Sequence, residues 1–251
     1  MIKLELRGDI AVLTMQHGKA NAMDTTFCED ILQRLDELRT SSARAIVVTG
    51  QGNIFSAGVD LVRALDGGPD YFKGFLPPLR RAFEAVFFYD KPIVAAVNGH
   101  AMAGGCVLTC AADRRLMAQG NGRIGITELL VGVPFPVIAL EIMRFAAAPQ
   151  HFARIVYSGA TFAPDSAVGL GLVDEVVPGY TLLDRAVAAA ETLAGLGSEA
   201  FALTKRQIRE PVRERLDRDG PRFDPSADAI WYAPQTAARI RDYVTRTFKK
   251  M

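Results

Sequence analysis

The chain has 251 residues, 49% hydrophobic and 23% charged, with 29 Lys and Arg against 28 Asp and Glu for a formal charge of +1. That length and apolar content exclude a disordered chain and point to one large globular domain, with room for a small appendage. The balanced charge offers no global field for nucleic acid or an anionic membrane, so an anionic ligand must be met locally.

Residues 2–7 and 10–15 alternate apolar and polar around Gly8-Asp9, the pattern of a two-stranded hairpin. Asp24 is placed to cap a helix in which Phe27, Ile31, Leu35 and Leu38 recur at helical spacing, and residues 45–50 then read as a buried strand. A Gly- and Asp-rich loop over 56–70 leads to an aromatic helix through Phe83, Phe87 and Phe88, followed by a second buried strand at 92–97. A helix of small residues over 103–112, strands at 114–118 and 123–126, and a helix starting near Pro134 complete the third round. Strand-then-helix units in succession argue for an α/β architecture with helices packed on sheet faces. After about residue 180 the strands stop. Helices are expected at 182–196, 200–215 and 227–248, with the charged Gly/Pro stretch 217–225 as an exposed connector.

The three cysteines, Cys28, Cys106 and Cys110, are an odd number without a secretion-like segment before them, which fits a reducing cytoplasm. The apolar windows around 93–112 and 124–140 are interrupted by Asn98, Gly104, Gly105, Glu128 and Pro134, so no membrane span is expected. Cys106 and Cys110 stand four apart but lack a third and fourth ligand at plausible spacing, so no metal is expected.

Three segments carry chemistry. In Phe-Ser-Ala-Gly-Val-Asp-Leu at 55–61, small residues follow a buried strand, either as a tight strand-to-helix turn or as a turn whose amides, Val59's among them, meet an anion. Asn-Gly-His-Ala-Met-Ala-Gly-Gly-Cys at 98–106 again strips the backbone bare where a helix begins, and two such turns suit a pair of convergent N–H donors. In the stretch 124–134 a single carboxylate, Glu128, sits among apolar residues; it is either paired with an Arg at a loop mouth or buried, and burial makes it a competent proton shuttle. Asp60 reads as a cap, and His100 as structural or as a supporting neighbour of the second segment.

Taken together, the segments at 55–61, 98–106 and 125–128 resemble, in order and separation, the signature regions of the crotonase (enoyl-CoA hydratase/isomerase) superfamily. The resemblance implies a spiral core of ββα units over residues 1–180 and a helical region over 181–251 that serves trimerisation and covers coenzyme A. Trp231 and Tyr232 are candidates for the subunit interface, and loops including 62–80 are expected to wall the pocket. The resemblance further implies an acyl-CoA substrate in fatty-acid metabolism, a homotrimer or hexamer and no separate cofactor; no nucleic-acid or membrane partner is expected, because the chain lacks a basic stripe with interleaved aromatics and an uninterrupted apolar span. By the same resemblance, the amides of Val59 and Gly104 form the oxyanion hole and Glu128 is the acid/base. Ser56, Ala57, Gly58 and Gly105 line the coenzyme A path, and Lys205 is a candidate phosphate contact. Hydratases of the family carry a second glutamate where this chain has Val107, and bulky Pro134-Phe135-Pro136 replaces a glycine-rich loop. Both departures are similar to the single-glutamate isomerase branch, which shifts a 3-enoyl double bond to the 2 position. A hydratase using a second polar group from elsewhere, and a non-catalytic acyl-CoA-binding protein, are the alternatives.

Overall fold

The alternation of the N-terminal segments determines which face of a central sheet each side chain covers. The computed structural model describes residues 1–248; the last three positions of the expected C-terminal helical region lie outside the described residues. Strands β1 (Ile2–Arg7) and β2 (Ile10–Met15) form the expected antiparallel hairpin. After a two-residue strand β3 (Ala22–Met23) comes helix α1 (Thr25–Arg39), capped by Asp24, whose Oδ1 accepts the Phe27 amide at 2.8 Å. Then follow β4 (Ala45–Gly50), β5 (Ile54–Ser56), β6 (Gly58–Val59), α2 (Leu61–Phe87), β7 (Ile93–Val97), β8 (His100–Met102), α3 (Gly104–Ala111), β9 (Arg114–Ala118) and β10 (Ile124–Gly125). Helices α4 (Glu128–Val131), α5 (Val137–Ala146), α6 (Pro149–Ser158) and α7 (Pro164–Gly169) lead to β11 (Glu175–Val177), and α8 (Leu182–Ala194), α9 (Ser198–Tyr232) and α10 (Pro234–Phe248) close the fold.

The main sheet has the order β1-β2-β4-β7-β9-β11, parallel except at the β1/β2 hairpin, and a second parallel sheet has the order β10-β8-β5. Each of β4, β7 and β9 is therefore followed by a strand of the second sheet, the repeated unit expected from the strand-then-helix succession. Period-two alternation splits the main sheet cleanly. Ala11, Leu13, Ile46, Val48, Ala95 and Met117 face the larger core with α1, α2 and α3. Val12, Ala45, Val47, Val94, Ala96 and Leu116 face α8, which offers Leu182, Ala186, Val187 and Ala190. The helical region after residue 180 thus begins as the second covering layer of the sheet.

Several sequence expectations are corrected. The loop expected over 56–70 is shorter, because α2 already begins at Leu61 and survives Gly68 as a kink, with φ 63° there and Pro69 restarting the helix. The stretch 62–80, expected as a loop walling the pocket, is therefore helical, and of it Val62 lines the cavity around Glu128. The connector expected at 217–225 is helical, lying inside α9 despite Pro221 and Pro225. Tertiary bonds override the local breakers: Asp224 and Asp228 both pair with Arg80 of α2, and Asp224 Oδ1 accepts the Val137 amide at 2.9 Å, capping α5 from a distance. The prolines sit on the exposed side, where solvent can take the carbonyls they leave without a donor. Trp231, expected at an interface, is instead 3% exposed inside the chain. No single helix among the described residues is long and apolar enough to cross a membrane.

Candidate active site

Where the second sheet meets the start of α3, backbone is exposed to a cavity because the residues there are small. Gly58 has φ +81°, and a Cβ on it would stand 2.8 Å from both Ala103 Cβ and the Met102 carbonyl, and 3.0 Å from the Gly104 nitrogen. A glycine is thus what lets β6 press against the entry to α3. Gly105 allows a similar close approach from the α3 side, since any Cβ there would strike the Ser56 carbonyl. Ala103, just before α3, holds φ 50° and ψ −122°, an uncommon conformation for a residue with a side chain; its own amide donates to the Gly125 carbonyl at 2.8 Å. That turn aims the first amides of α3 away from the preceding strand, and no side chain caps them. On β6, the Asp60 amide donates to Met23 O at 2.9 Å; neighbouring strand amides point to opposite sides, so the Val59 amide faces away from β3.

The cavity so formed has a volume of about 330 Å³, and its lining includes Ala57, Val59, Asp60, Met102, Ala103, Thr127, Glu128, Val131, Val133, Trp231 and Tyr243. Glu128 opens the short helix α4. Its Oε2 is sealed from solvent and meets no donor among the described residues, while the residue as a whole stays partly exposed through the cavity. Burial pushes the carboxyl up to about 7, against a smaller opposing effect of its own and Thr127's backbone amides. The Arg partner that would have made Glu128 an ordinary loop carboxylate is missing among the described residues.

Other expected residues are placed as follows. Ser56 is fully buried and does not line the cavity: its Oγ donates to Asn21 O at 2.7 Å and accepts the Gly58 amide at 3.2 Å, so it braces the turn behind the cavity wall. Gly58, Gly104 and Gly105 are buried behind the lining residues Ala57, Val59 and Ala103, with Ala57 itself exposed. Lys205 lies elsewhere, and the expected phosphate contact is corrected: its Nζ donates to Asp113 Oδ2 at 2.6 Å, leaving it 7% exposed and lining depressions on the far side of α3. Its charge is already committed to that carboxylate. His100 Nδ1 accepts the Arg123 amide at 3.2 Å, a strand-to-loop brace, and Asp60 caps α2 through the Arg63 amide at 2.9 Å. Val107, where family hydratases carry the second glutamate, is fully buried in the main core and does not line the cavity.

Sequence reasoning did not assign Trp231, Tyr243 or Thr127 to the cavity. Trp231 and Tyr243 follow Glu128 by about a hundred residues and no local motif announces them; only the covering role expected of the helical tail pointed that way. A larger depression of about 660 Å³ between Lys91, Pro92 and the start of α9 carries its charges in the open, with Arg206 and Asp90 side chains 65% and 54% exposed, and offers no buried unpartnered group.

The family model for enoyl-CoA hydratase/isomerase matches residues 5–221. The chain belongs to the enoyl-CoA hydratase/isomerase family. A relative from Thermus thermophilus bearing an enoyl-CoA hydratase name is 33% identical over 213 residues, covering 83% of each chain. The human mitochondrial enoyl-CoA delta isomerase 1 is 25% identical over 220 residues, covering 86% of this chain and 72% of that one. The crystal structure of human mitochondrial delta3-delta2-enoyl-CoA isomerase superposes with a TM-score of 0.93 at 22% identity, over 99% of this chain and 98% of that one, so the fold is that of the crotonase family. Enzymes of this family act on acyl-CoA substrates, and relatives named for isomerisation and for hydration both match.

Proposed function

We propose that the protein is an enoyl-CoA isomerase that moves a double bond from the 3 to the 2 position with Glu128 as its single acid/base. The observation that carries this reading is one carboxylate whose Oε2 has no partner among the described residues, raised to about 7 by burial in the cavity, where the other lining carboxylate, Asp60, is committed to capping α2. Hydration of a 2-enoyl thioester needs a water held and a proton delivered, work shared by two groups. Isomerisation needs only removal of a proton at C2 and its return at C4, which one carboxylate near both carbons performs.

In this reading the thioester oxygen sits between the Val59 and Gly104 amides, with Ala57 and the turn around Gly58 and Gly105 guiding the coenzyme A arm. As Glu128 takes the C2 proton, negative charge moves onto the oxygen and the fixed amides stabilise the enolate without reorganising. The protonated carboxyl then returns the proton at C4, and the electron pair closes the new 2-enoyl bond. A carboxyl with pKa near 7 suits both halves, because it is ionised often enough to start and acidic enough to finish. The apolar walls keep water away from the enolate.

The test is turnover of a 3-enoyl-CoA, followed by the rise of 2-enoyl thioester absorbance, with hydration of 2-enoyl-CoA assayed in parallel. Isomerisation without comparable hydration is expected, and dominant hydration would reject the reading.

A further inference from the structure

The cavity at Glu128 is lined in part by residues of the C-terminal helices, Trp231 and Tyr243, and Trp231 is stiffly held. Trp231, from the end of α9, is held on several sides: its Nε1 donates to the Pro134 carbonyl at 3.1 Å, its ring centroid lies 5.2 Å from that of Phe72, and only 3% of it is exposed. A large indole with a bonded N–H cannot swing aside as an unanchored Leu or Met would without leaving a buried donor unpaired. Tyr243, from α10, packs against the main core beside it, and Val131 and Val133 narrow the side wall at 5% and 2% exposure.

Space then sets the substrate. A volume of about 330 Å³ is at the small end for a binding cavity. At roughly 30 Å³ for each non-hydrogen atom it holds about eleven of them. The thioester carbon, oxygen and sulfur use three, leaving roughly eight for the chain. Apart from Asp60, Thr127, Glu128 and Thr247 the lining is formed by apolar and aromatic residues, which suits a plain hydrocarbon chain.

We propose that Trp231 and Tyr243 form an end wall that restricts this enzyme to short- and medium-chain enoyl thioesters, of roughly six to ten carbons. This rests on the reading of the cavity as an acyl-CoA site. The wall acts by exclusion: each methylene that finds no room forfeits its burial and must displace packed side chains, so the specificity constant drops where the chain outgrows the cavity.

The experiment measures kcat/KM for 3-enoyl-CoA esters of six, eight, ten, twelve and sixteen carbons with the wild type, Tyr243→Ala and Trp231→Leu, each variant checked for cooperative thermal unfolding. The wild type is expected to lose at least about tenfold between the eight- and sixteen-carbon esters. Either variant is expected to raise the sixteen-to-eight ratio by roughly tenfold. Val133→Phe, which fills the side wall, is expected to move the cut-off to shorter chains. Tyr243→Ala lies on the last helix, so it decides the matter even if Trp231→Leu does not fold. A flat wild-type profile, or a folded Tyr243→Ala with an unchanged ratio, overturns the end wall while leaving the acyl-CoA reading intact. Failure to turn over a thioester of any length overturns both.

Discussion

Two carboxylates lie near opposite ends of α3 in opposite circumstances. Near its N-terminus Glu128 stands in an apolar cavity with Oε2 unpartnered; just past its C-terminus Asp113 accepts Lys205 Nζ at 2.6 Å, Arg209 at 2.8 Å and the Ile93 amide at 2.8 Å. The cations around Asp113 are themselves buried, with burial lowering Lys205 to about 8 against the pull of Asp113, and Arg209 lying over the Phe87 ring at 4.1 Å. Asp113 thus ties α9 to the start of β7 and β9, whereas Glu128 is left free at a cost in stability. In the proposed isomerase, the difference separates a carboxylate that holds the fold from one kept available for a proton.

Breaking each member of the pair should fail in a different way. Glu128→Gln should lose about 10²–10⁴ in turnover while still binding a CoA thioester, measured by steady-state kinetics beside calorimetric titration. Asp113→Asn should strand two buried cations and cost on the order of 3 kcal/mol of stability, read in denaturant unfolding, with activity per folded molecule little changed. Comparable loss of turnover in both variants at full folding would erase the distinction.

The comparison sharpens with pH. In the folded chain Glu128 holds its proton up to about 7 against a usual value of 4.5, so between those values the folded state binds more proton than the unfolded one. Stability must therefore fall as pH rises through that window, with the full cost present above about 7. Glu128→Gln lacks the cost, so it should be the more stable protein at pH 8, by on the order of 2–3 kcal/mol, with the gap shrinking as pH falls from about 7 and gone below about 4.5. Thermal unfolding of both proteins across that range checks this. A smaller effect, roughly tenfold in kcat/KM without loss of the Glu128 pH profile, is expected for Gly58→Ala, because the added Cβ must push β6 from the entry to α3 and spread the two amides.

Much of this is legible in the sequence because it is written locally. The apolar run at 45–50, the Asp24 cap, the bared turns at 55–61 and 98–106 and the lone Glu128 each act through neighbours close in the chain. What escapes depends on distant residues. Lys205 reads as a phosphate contact because its partner, Asp113, lies 92 positions earlier. Pro221 and Pro225 point to a connector, but the ion pairs of Arg80 with Asp224 and Asp228 hold that stretch helical. Trp231 reads as an interface residue, yet it is a cavity wall because Phe72 and the Pro134 carbonyl receive it.

The claim at the centre is that one sealed carboxylate carries the same proton from C2 to C4. The direct measurement is turnover of a 3-enoyl-CoA deuterated at C2, in ordinary water, with the product analysed for label at C4. A single Glu128 shielded from solvent predicts that a substantial share of the deuterium reappears at C4 of the 2-enoyl product. Complete loss of the label to water, or product carrying a new hydroxyl at C3, would contradict it and require a second group in contact with solvent.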